Sequence, residues 1–154
     1  MGSVVGIFVA PVGEATPEPR DEVMAVAGRG LQGDRYFDGT GTYSQTAGTG
    51  RHVTLIESEA LEAAARDYGI DLPPGASRRN IVTTGVALNH LVGEEFLVGN
   101  VRLRGTRLCE PCSHLAKLTG RPVVKALIHR AGLRADILEG GPIRIGDEVQ
   151  PIGP

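Results

Sequence analysis

The sequence has little of three things, and each shortage excludes a class of protein. No charge is in large excess, because 16 lysines and arginines face 18 aspartates and glutamates in 154 residues; a broad nucleic-acid-binding surface is therefore not expected. No apolar run approaches the roughly 18 residues that span a bilayer, and the first residues lack a basic leader, which predicts a cytoplasmic protein. Only two cysteines are present, so no disulfide framework supports the fold.

The chain contains enough residues for one core and many turn-forming residues. Its length predicts a single domain over 1–154. The 22 glycines and 10 prolines are spread evenly, which favours many short elements over a few long helices. The chain is therefore expected to change direction often.

Hydrophobic patterns predict more strands than helices. Alternating or β-branched runs predict strands at 3–10, 22–27, 52–56, 81–84, 95–98, 101–104, 133–138 and 143–145. The clearest pair is the hairpin around Gly99-Asn100, a turn that tolerates positive φ. One helix opens at Ser58 and stops at Gly69, and a second is expected over 122–130. The predicted fold is mostly β, an antiparallel β-barrel with two or three peripheral helices.

Both cysteines lie in one short stretch, Cys109-Glu110-Pro111-Cys112, between a strand pattern and a helical pattern. A thiolate is the nucleophile and the soft metal ligand, and its pKa falls at a helix N-terminus or beside basic groups. In a reducing compartment such a close pair more often does chemistry or binds metal than cross-links a fold. Function is therefore expected here first, with two inert buried thiols as the alternative.

Six short segments, taken in order, form a recognisable pattern: Gly33-Asp34-Arg35, Arg51-His52-Val53-Thr54-Leu55-Ile56-Glu57, Arg78-Arg79-Asn80-Ile81, Leu91-Val92-Gly93-Glu94-Glu95-Phe96, Glu110-Pro111-Cys112 and Gly141-Pro142-Ile143-Arg144-Ile145-Gly146-Asp147-Glu148-Val149. In this order the segments resemble the MOSC domain family, which is named for the C-terminal domain of molybdenum cofactor sulfurase. They extend over nearly the whole chain. The resemblance implies a MOSC-type β-barrel around a cleft, of the small stand-alone bacterial type, with Cys112 as the reactive residue.

The same resemblance implies an association with molybdenum cofactor (molybdopterin), held permanently or passed on. Cys112 would either carry sulfur toward the metal or ligate molybdenum in an enzyme that reduces N-hydroxylated compounds. A sulfur donor or an electron-transfer protein would then be a partner, and neither nucleic acid nor membrane is expected as one. The chain has no pyridoxal-phosphate-dependent desulfurase region, so it is not expected to make persulfide from free cysteine.

Four residues are the candidate site. A thiolate at Cys112 suits molybdenum, which is a soft, sulfur-rich centre in this cofactor. Arg79 can hold a pterin phosphate through two parallel hydrogen bonds, Asn80 can contact ring edges, and Arg35 has a similar anion-binding interpretation. We expect Arg79, Asn80 and Arg35 to converge with Cys112 on one cleft, over which the polar loop 38–50 closes. An exposed arginine and a turn-capping asparagine are the alternative.

Two other functions remain open from the residues alone. The order strand, Cys-x-Pro-Cys, helix also occurs around thioredoxin-type active sites, which favours a dithiol oxidoreductase that uses Cys109 and Cys112. The hairpin-rich organisation lacks the βαβ context of that class. A non-catalytic sulfur relay or binding module is the second alternative, and Cys109 is either a bystander or a resolving thiol.

Overall fold

The structure, a computed structural model, describes residues 2–10, 17–34, 52–69, 78–109 and 132–152. The predicted helix over 122–130 and the predicted lid over 38–50 lie outside these ranges. The elements in chain order are β1 (Gly2–Val9), β2 (Glu18–Pro19), β3 (Glu22–Val26), β4 (Gly30–Leu31), β5 (Val53–Glu57), α1 (Ser58–Tyr68), β6 (Ile81–Thr84), a 3-10 helix (Leu88–Leu91), β7 (Glu95–Val98), β8 (Val101–Leu108), β9 (Leu133–Glu139), β10 (Gly141–Arg144) and β11 (Glu148–Pro151).

Seven strands close into a barrel. Their order around the ring is β1, β11, β7, β8, β9, β5 and β6, and β6 pairs with β1 again. Every neighbouring pair is antiparallel except β5 and β6, which are parallel because α1 provides the crossover between them. The prediction of a mostly antiparallel β-barrel is confirmed. A smaller sheet lies beside the ring, and its strand order is β10, β3, β4.

Alternate side chains of each strand point into the barrel and fill it. In β9, Leu133, Ala135 and Ile137 belong to the buried core cluster, while Arg134 and Asp136 between them do not. The same cluster holds the fully buried Phe96, Leu103, Leu55 and Ile81 from four other strands. Burial of each such side chain contributes about 1.5–3 kcal/mol to folding. The interior is therefore a packed core, and Arg134 and Asp136 lie on the outward side of β9.

The helix α1 confirms the start and stop that its sequence predicts. Gly69 adopts the left-handed conformation at φ 66°, and its N–H bonds the carbonyl oxygens of Ala64 and Ala65. Glycine carries no Cβ penalty there. The buried face of α1 consists of Ala60, Leu61, Ala63 and Ala64, and the helix contacts β5 and β6. No helix in the described part of the chain has the length and apolar character needed to cross a membrane.

Glu59 ties the first turn of α1 to the end of β6. Its Oε2 accepts hydrogen bonds from the Gly85 N–H at 2.8 Å and the Thr84 hydroxyl at 3.1 Å. Burial raises the pKa of Glu59, but bonds from Gly85, from its own backbone N–H, from Thr84 and from Ser58 outweigh this effect, so the pKa lies below its ordinary value. Because the folded state favours the charged carboxylate, this contribution to stability is present above the ordinary pKa of 4.5 and is lost as pH falls below it.

Glu59→Gln is expected to lower the free energy of unfolding by about 1 kcal/mol at pH 7, a figure reduced for the partial exposure of the carboxylate. The difference from wild type should shrink as pH falls below 4.5, because the wild-type carboxylate then becomes protonated. Urea unfolding at several pH values measures both effects. Glu62→Gln, at an exposed position of the same helix, is the control. A deficit that stays constant down to pH 3 would contradict the charged-carboxylate explanation.

Candidate functional site

Cys109 and Gly132 bring the two ends of residues 110–131 together. The Cys109 N–H donates to the Gly132 carbonyl oxygen at 2.8 Å, which continues the ladder in which Leu108 pairs with Leu133. Residues 110–131, with Cys112 among them, lie outside the described residues. The segment that carries Cys112 therefore begins and ends at one place on the barrel, where β8 stops and β9 starts.

The two residues at this junction are tightly held. Cys109 is a free thiol with 1% of its surface exposed, yet it does not belong to the core cluster that fills the barrel. Gly132 has φ 114°, and a Cβ at this position would overlap the carbonyl oxygen of Leu55 on β5. Only glycine combines that φ with so close an approach of two backbones. The junction is therefore fixed by backbone geometry.

Asn80 is the centre of a buried polar network. Its Nδ2 donates to the Phe8 carbonyl oxygen at 3.0 Å and to Asp34 Oδ1 at 3.3 Å. Its Oδ1 accepts from the Thr54 N–H at 3.1 Å and from the Thr54 hydroxyl at 3.2 Å. Asp34 Oδ1 also accepts from the Ala10 N–H at 3.0 Å. Asp34 is 0% and Asn80 5% exposed, so four chain segments are joined away from solvent.

These bonds use both amide donors and both acceptor lone pairs of Asn80. The geometry therefore gives Asn80 a positioning role, in which it orients the backbone on either side of it. Its amide has no donor or acceptor left over for a ligand ring. Arg79 precedes Asn80 directly and is half-buried. Arg35 follows Asp34 directly in the chain but lies outside the described residues. The network thus joins the chain segments that lead to two of the predicted anion-binding arginines.

Arg78 shows that this corner of the fold has an unusual backbone. Its φ is 62°, and no other non-glycine residue in the described ranges has a positive φ. Such a conformation costs about 1–3 kcal/mol and persists where the surrounding structure enforces it, often at functional sites. The segment that enters β6 is therefore held in a specific conformation just before Arg79.

Asn80→Ala is expected to lower the free energy of unfolding by about 3 kcal/mol, because it leaves Asp34 and a backbone carbonyl buried with fewer partners. Equilibrium urea unfolding measures the loss. Asn100→Ala, in the exposed turn between β7 and β8, should change stability by less than about 0.5 kcal/mol. Equal effects of the two substitutions would show that the network does not stabilise the fold.

A row of polar side chains crosses four neighbouring strands outside the barrel. Arg107 of β8 is opposite Arg134 of β9, Arg134 is opposite Thr54 of β5, and Thr54 is bonded to Asn80 at the start of β6. The neighbours of Arg134 in β9 belong to the core cluster, so the row faces outward. Arg107 and Arg134 were not identified from the sequence. The sequence signal that could have indicated Arg107 is its position two residues before Cys109.

The described residues also show how far apart the two parts of the site are. Cys109 is aligned with Gly132, which lies against the end of β5, whereas Asn80 is aligned with Thr54. The strands β9 and β5 lie between them, so the two residues are three strand spacings apart around the ring and two residues apart along it, a path of about 15 Å along the sheet. The predicted convergence of Arg79, Asn80 and Arg35 with Cys112 stays a prediction, since Cys112 and Arg35 lie outside the described residues.

His52 has a structural partner. Its Nδ1 accepts a hydrogen bond from the Ile137 N–H at 2.9 Å, and the Asp136 carboxylate lies 3.7 Å from this nitrogen, beyond a hydrogen bond. The ring therefore fixes the chain before β5 to β9. Within the described ranges, no group of three His, Cys, Asp or Glu side chains is arranged to hold a metal ion.

A family model described as the MOSC domain matches residues 42–150, which is well over half of the chain. The chain belongs to the MOSC domain family. The matched range of this MOSC chain includes Cys112, Arg79 and Asn80, whereas Arg35 precedes it. No relative was found among curated proteins.

Solved structures share the fold of this MOSC chain. The YUAD protein from Bacillus subtilis superposes with a TM-score of 0.79 at 17% identity, covering 97% of this chain and 94% of that one. YiiM from Geobacillus stearothermophilus gives 0.76 at 18% identity, with coverages of 99% and 76%. YiiM from Escherichia coli gives 0.69 at 14% identity, with coverages of 99% and 70%. Identities this low establish the fold and leave the activity to be argued from the site.

Proposed function

We propose that this MOSC protein binds molybdenum cofactor and acts on it through Cys112, either by carrying sulfur to it or by ligating its metal. The observation that carries the proposal is the family match over 42–150, which includes Cys112 in a family associated with this cofactor. Reduction of N-hydroxylated compounds is the enzymatic form of the proposal.

The residues near the segment fit such a group. Molybdenum in this cofactor has sulfur ligands, so a single thiolate is a suitable additional ligand, and no cluster of protein ligands is required. Arg107, two residues before Cys109, and Arg134 beside it place positive charge where the Cys112 segment leaves the barrel. Nearby cations favour the thiolate over the thiol. When bound, the cofactor would supply a redox-active metal.

The other proposed contacts follow from the buried network. Arg79 and Arg35 would bind anionic groups of the cofactor, since a guanidinium matches phosphate geometry. Asn80 and Asp34, which are hydrogen-bonded to each other, would hold the backbone before Arg79 and Arg35 in place. Asn80 is therefore proposed as a positioning residue whose amide acts through its neighbours.

Sulfur carriage by Cys112 requires only its thiolate and a partner. A persulfide donor would transfer its outer sulfur when the Cys112 thiolate attacks that atom, the S–S bond of the donor breaks and the donor leaves as a thiolate. In the next step an acceptor thiolate attacks the outer sulfur of the Cys112 persulfide, and Cys112 leaves as a thiolate. No net oxidation or reduction occurs in either exchange.

The dithiol alternative needs an accessible partner thiol. Cys109 is a free thiol that is 1% exposed, with its backbone N–H bonded to Gly132. Exchange depends on access to the attacking sulfur. Burial of Cys109 therefore favours a one-cysteine mechanism over a Cys109–Cys112 disulfide cycle, and a non-catalytic sulfur relay differs from the main proposal only in the absence of turnover.

The proposal is tested by metal and pterin analysis of the protein purified from a host that makes molybdenum cofactor. Molybdenum and pterin in near-equal amounts would support ligation, and sulfur that cyanide releases from Cys112 without molybdenum would support sulfur carriage. Protein with neither molybdenum nor pterin nor releasable sulfur, even after incubation with a persulfide donor and the cofactor, would refute both forms.

A further inference from the structure

Arg107 and Arg134 form a like-charge pair on neighbouring strands. They are direct cross-strand partners in the β8–β9 ladder, so their Cβ atoms are about 4.5–5.5 Å apart on one face of the sheet. Arg134 is half-buried and Arg107 is exposed. The bulge between Gly105 and Arg107 leaves Thr106 unopposed, and the Thr106 hydroxyl bonds the Arg134 carbonyl oxygen at 3.0 Å. The backbone under the pair is thus fixed.

This pair differs from every other arginine in the described ranges. Neither guanidinium has a hydrogen bond or an ion pair with a described residue. On the same strand, Arg102 and Arg104 both bind the Glu95 carboxylate, which holds the pKa of Glu95 below its ordinary value. The other arginines in these ranges each interact with another group: Arg20, Arg29, Arg66, Arg78, Arg79 and Arg144. Arg107 and Arg134, which have no hydrogen bond or ion pair with a described residue, are therefore the two arginines that lie opposite each other.

Like charges directly opposite each other destabilise a sheet. A dianion placed between them would remove the repulsion, and two planar guanidinium groups can each bind a tetrahedral oxyanion through two hydrogen bonds. The two positive charges also balance the charge of a dianion better than they balance the single charge of a carboxylate. We infer that Arg107 and Arg134 bind the phosphate group of a phosphomonoester on the outer face of the barrel, beside the point where the Cys112 segment begins.

The site is independent of the molybdenum proposal, because the recognised group is the phosphate and not the metal. It is also distinct from the corner that contains Arg79, because Arg79 precedes β6 and the strands β9 and β5 lie between β6 and β8.

The test uses methyl phosphate, the simplest monoester, with the full chain labelled with ¹⁵N. At constant ionic strength, added methyl phosphate should shift the amide signals of Arg107 and Arg134 saturably. Arg107→Gln and Arg134→Gln should each weaken this binding about fivefold or more. Arg104→Gln, which removes the same charge from the same strand but from a carboxylate-paired position, should leave it within about twofold. Acetate at the same ionic strength should not produce the saturable shift.

Thermal unfolding provides a second measurement that does not depend on detecting the ligand. Without phosphate, neutralising one arginine removes repulsion, so Arg107→Gln should raise the melting temperature by about 1–2 °C. Methyl phosphate should raise the melting temperature of wild type but not of the variant. Equal binding by wild type and both variants, an equal loss in Arg104→Gln, or acetate binding as tight as methyl phosphate would overturn the inference. Loss of molybdenum binding with these responses intact would affect only the proposed function.

Discussion

Replacement of Cys112 by alanine is expected to remove both bound molybdenum and cyanide-releasable sulfur from the purified protein. A metal or sulfur ligand has no substitute in this segment if Cys112 alone supplies the thiolate, so the loss should exceed the roughly 10–100-fold effects of residues that only support a metal ligand. Metal analysis and sulfur release measure it directly. Far-UV circular dichroism should be unchanged, since the barrel strands do not include Cys112.

Cys109→Ala is the matched control. Alanine is chosen because a serine hydroxyl would be buried without an assured partner at this 1% exposed position. We expect this variant to keep most of its molybdenum and releasable sulfur. Equal and complete loss in both variants would instead support the dithiol mechanism, in which each cysteine is required.

The second large effect concerns the glycine at the junction. Gly132→Ala is expected to lower the free energy of unfolding by about 4 kcal/mol, because the new Cβ meets the Leu55 carbonyl oxygen and alanine does not tolerate φ 114°. The β5–β9 pairing must open to accommodate it. Because the Gly132 carbonyl oxygen also binds the Cys109 N–H, the start of the Cys112 segment would move as well.

Gly28→Ala separates the two causes of that loss. Gly28 also has a positive φ, 77°, but a Cβ there would meet nothing within 4 Å. Its substitution should therefore cost only the conformational penalty, about 1–2 kcal/mol. Urea unfolding compares the two variants, and a Gly132→Ala loss no larger than that of Gly28→Ala would show that β5 and β9 can separate locally without cost.

Local signals predicted much of the barrel. The β7–β8 hairpin around Gly99 and the stop of α1 at Gly69 depend on neighbouring residues only, and both are confirmed. β8 was expected to end at Arg104 but continues to Leu108. Gly105, which normally weakens a strand, is required there because a Cβ would overlap the Leu91 carbonyl oxygen, and that contact depends on tertiary packing.

Two other strands depended on partners that the sequence does not reveal. The strand predicted over 143–145 does not include Gly141, yet Gly141 begins β10 because it pairs with Ala25. The last strand, Glu148–Pro151, was not predicted because only Val149 in it is buried and no alternation is visible. It forms because β1 and β7 provide partners on its two sides.

The site was predicted less completely than the fold, for the same reason. Resemblance identified Arg79 and Asn80, but the network that occupies Asn80 involves Phe8 and Asp34, which are distant in the chain. The pairing of Arg107 with Arg134 depends on the strand register, and a one-residue slip would have separated them. Hydrogen-bond saturation and like-charge pairing are therefore visible only in three dimensions.

The pairing of β1 with β11 has a consequence for how the protein is made. Gly2 pairs with Val149, so the ring joins nearly opposite ends of the described chain, and the barrel cannot close during synthesis until residue 149 has emerged. Until then β1 and β7 each present an unpaired edge, which invites intermolecular pairing. A topology dominated by such distant contacts folds in milliseconds to seconds. A ribosome-bound chain that stops short of β11 should therefore depend on chaperones that shield strand edges, whereas the completed ring should not.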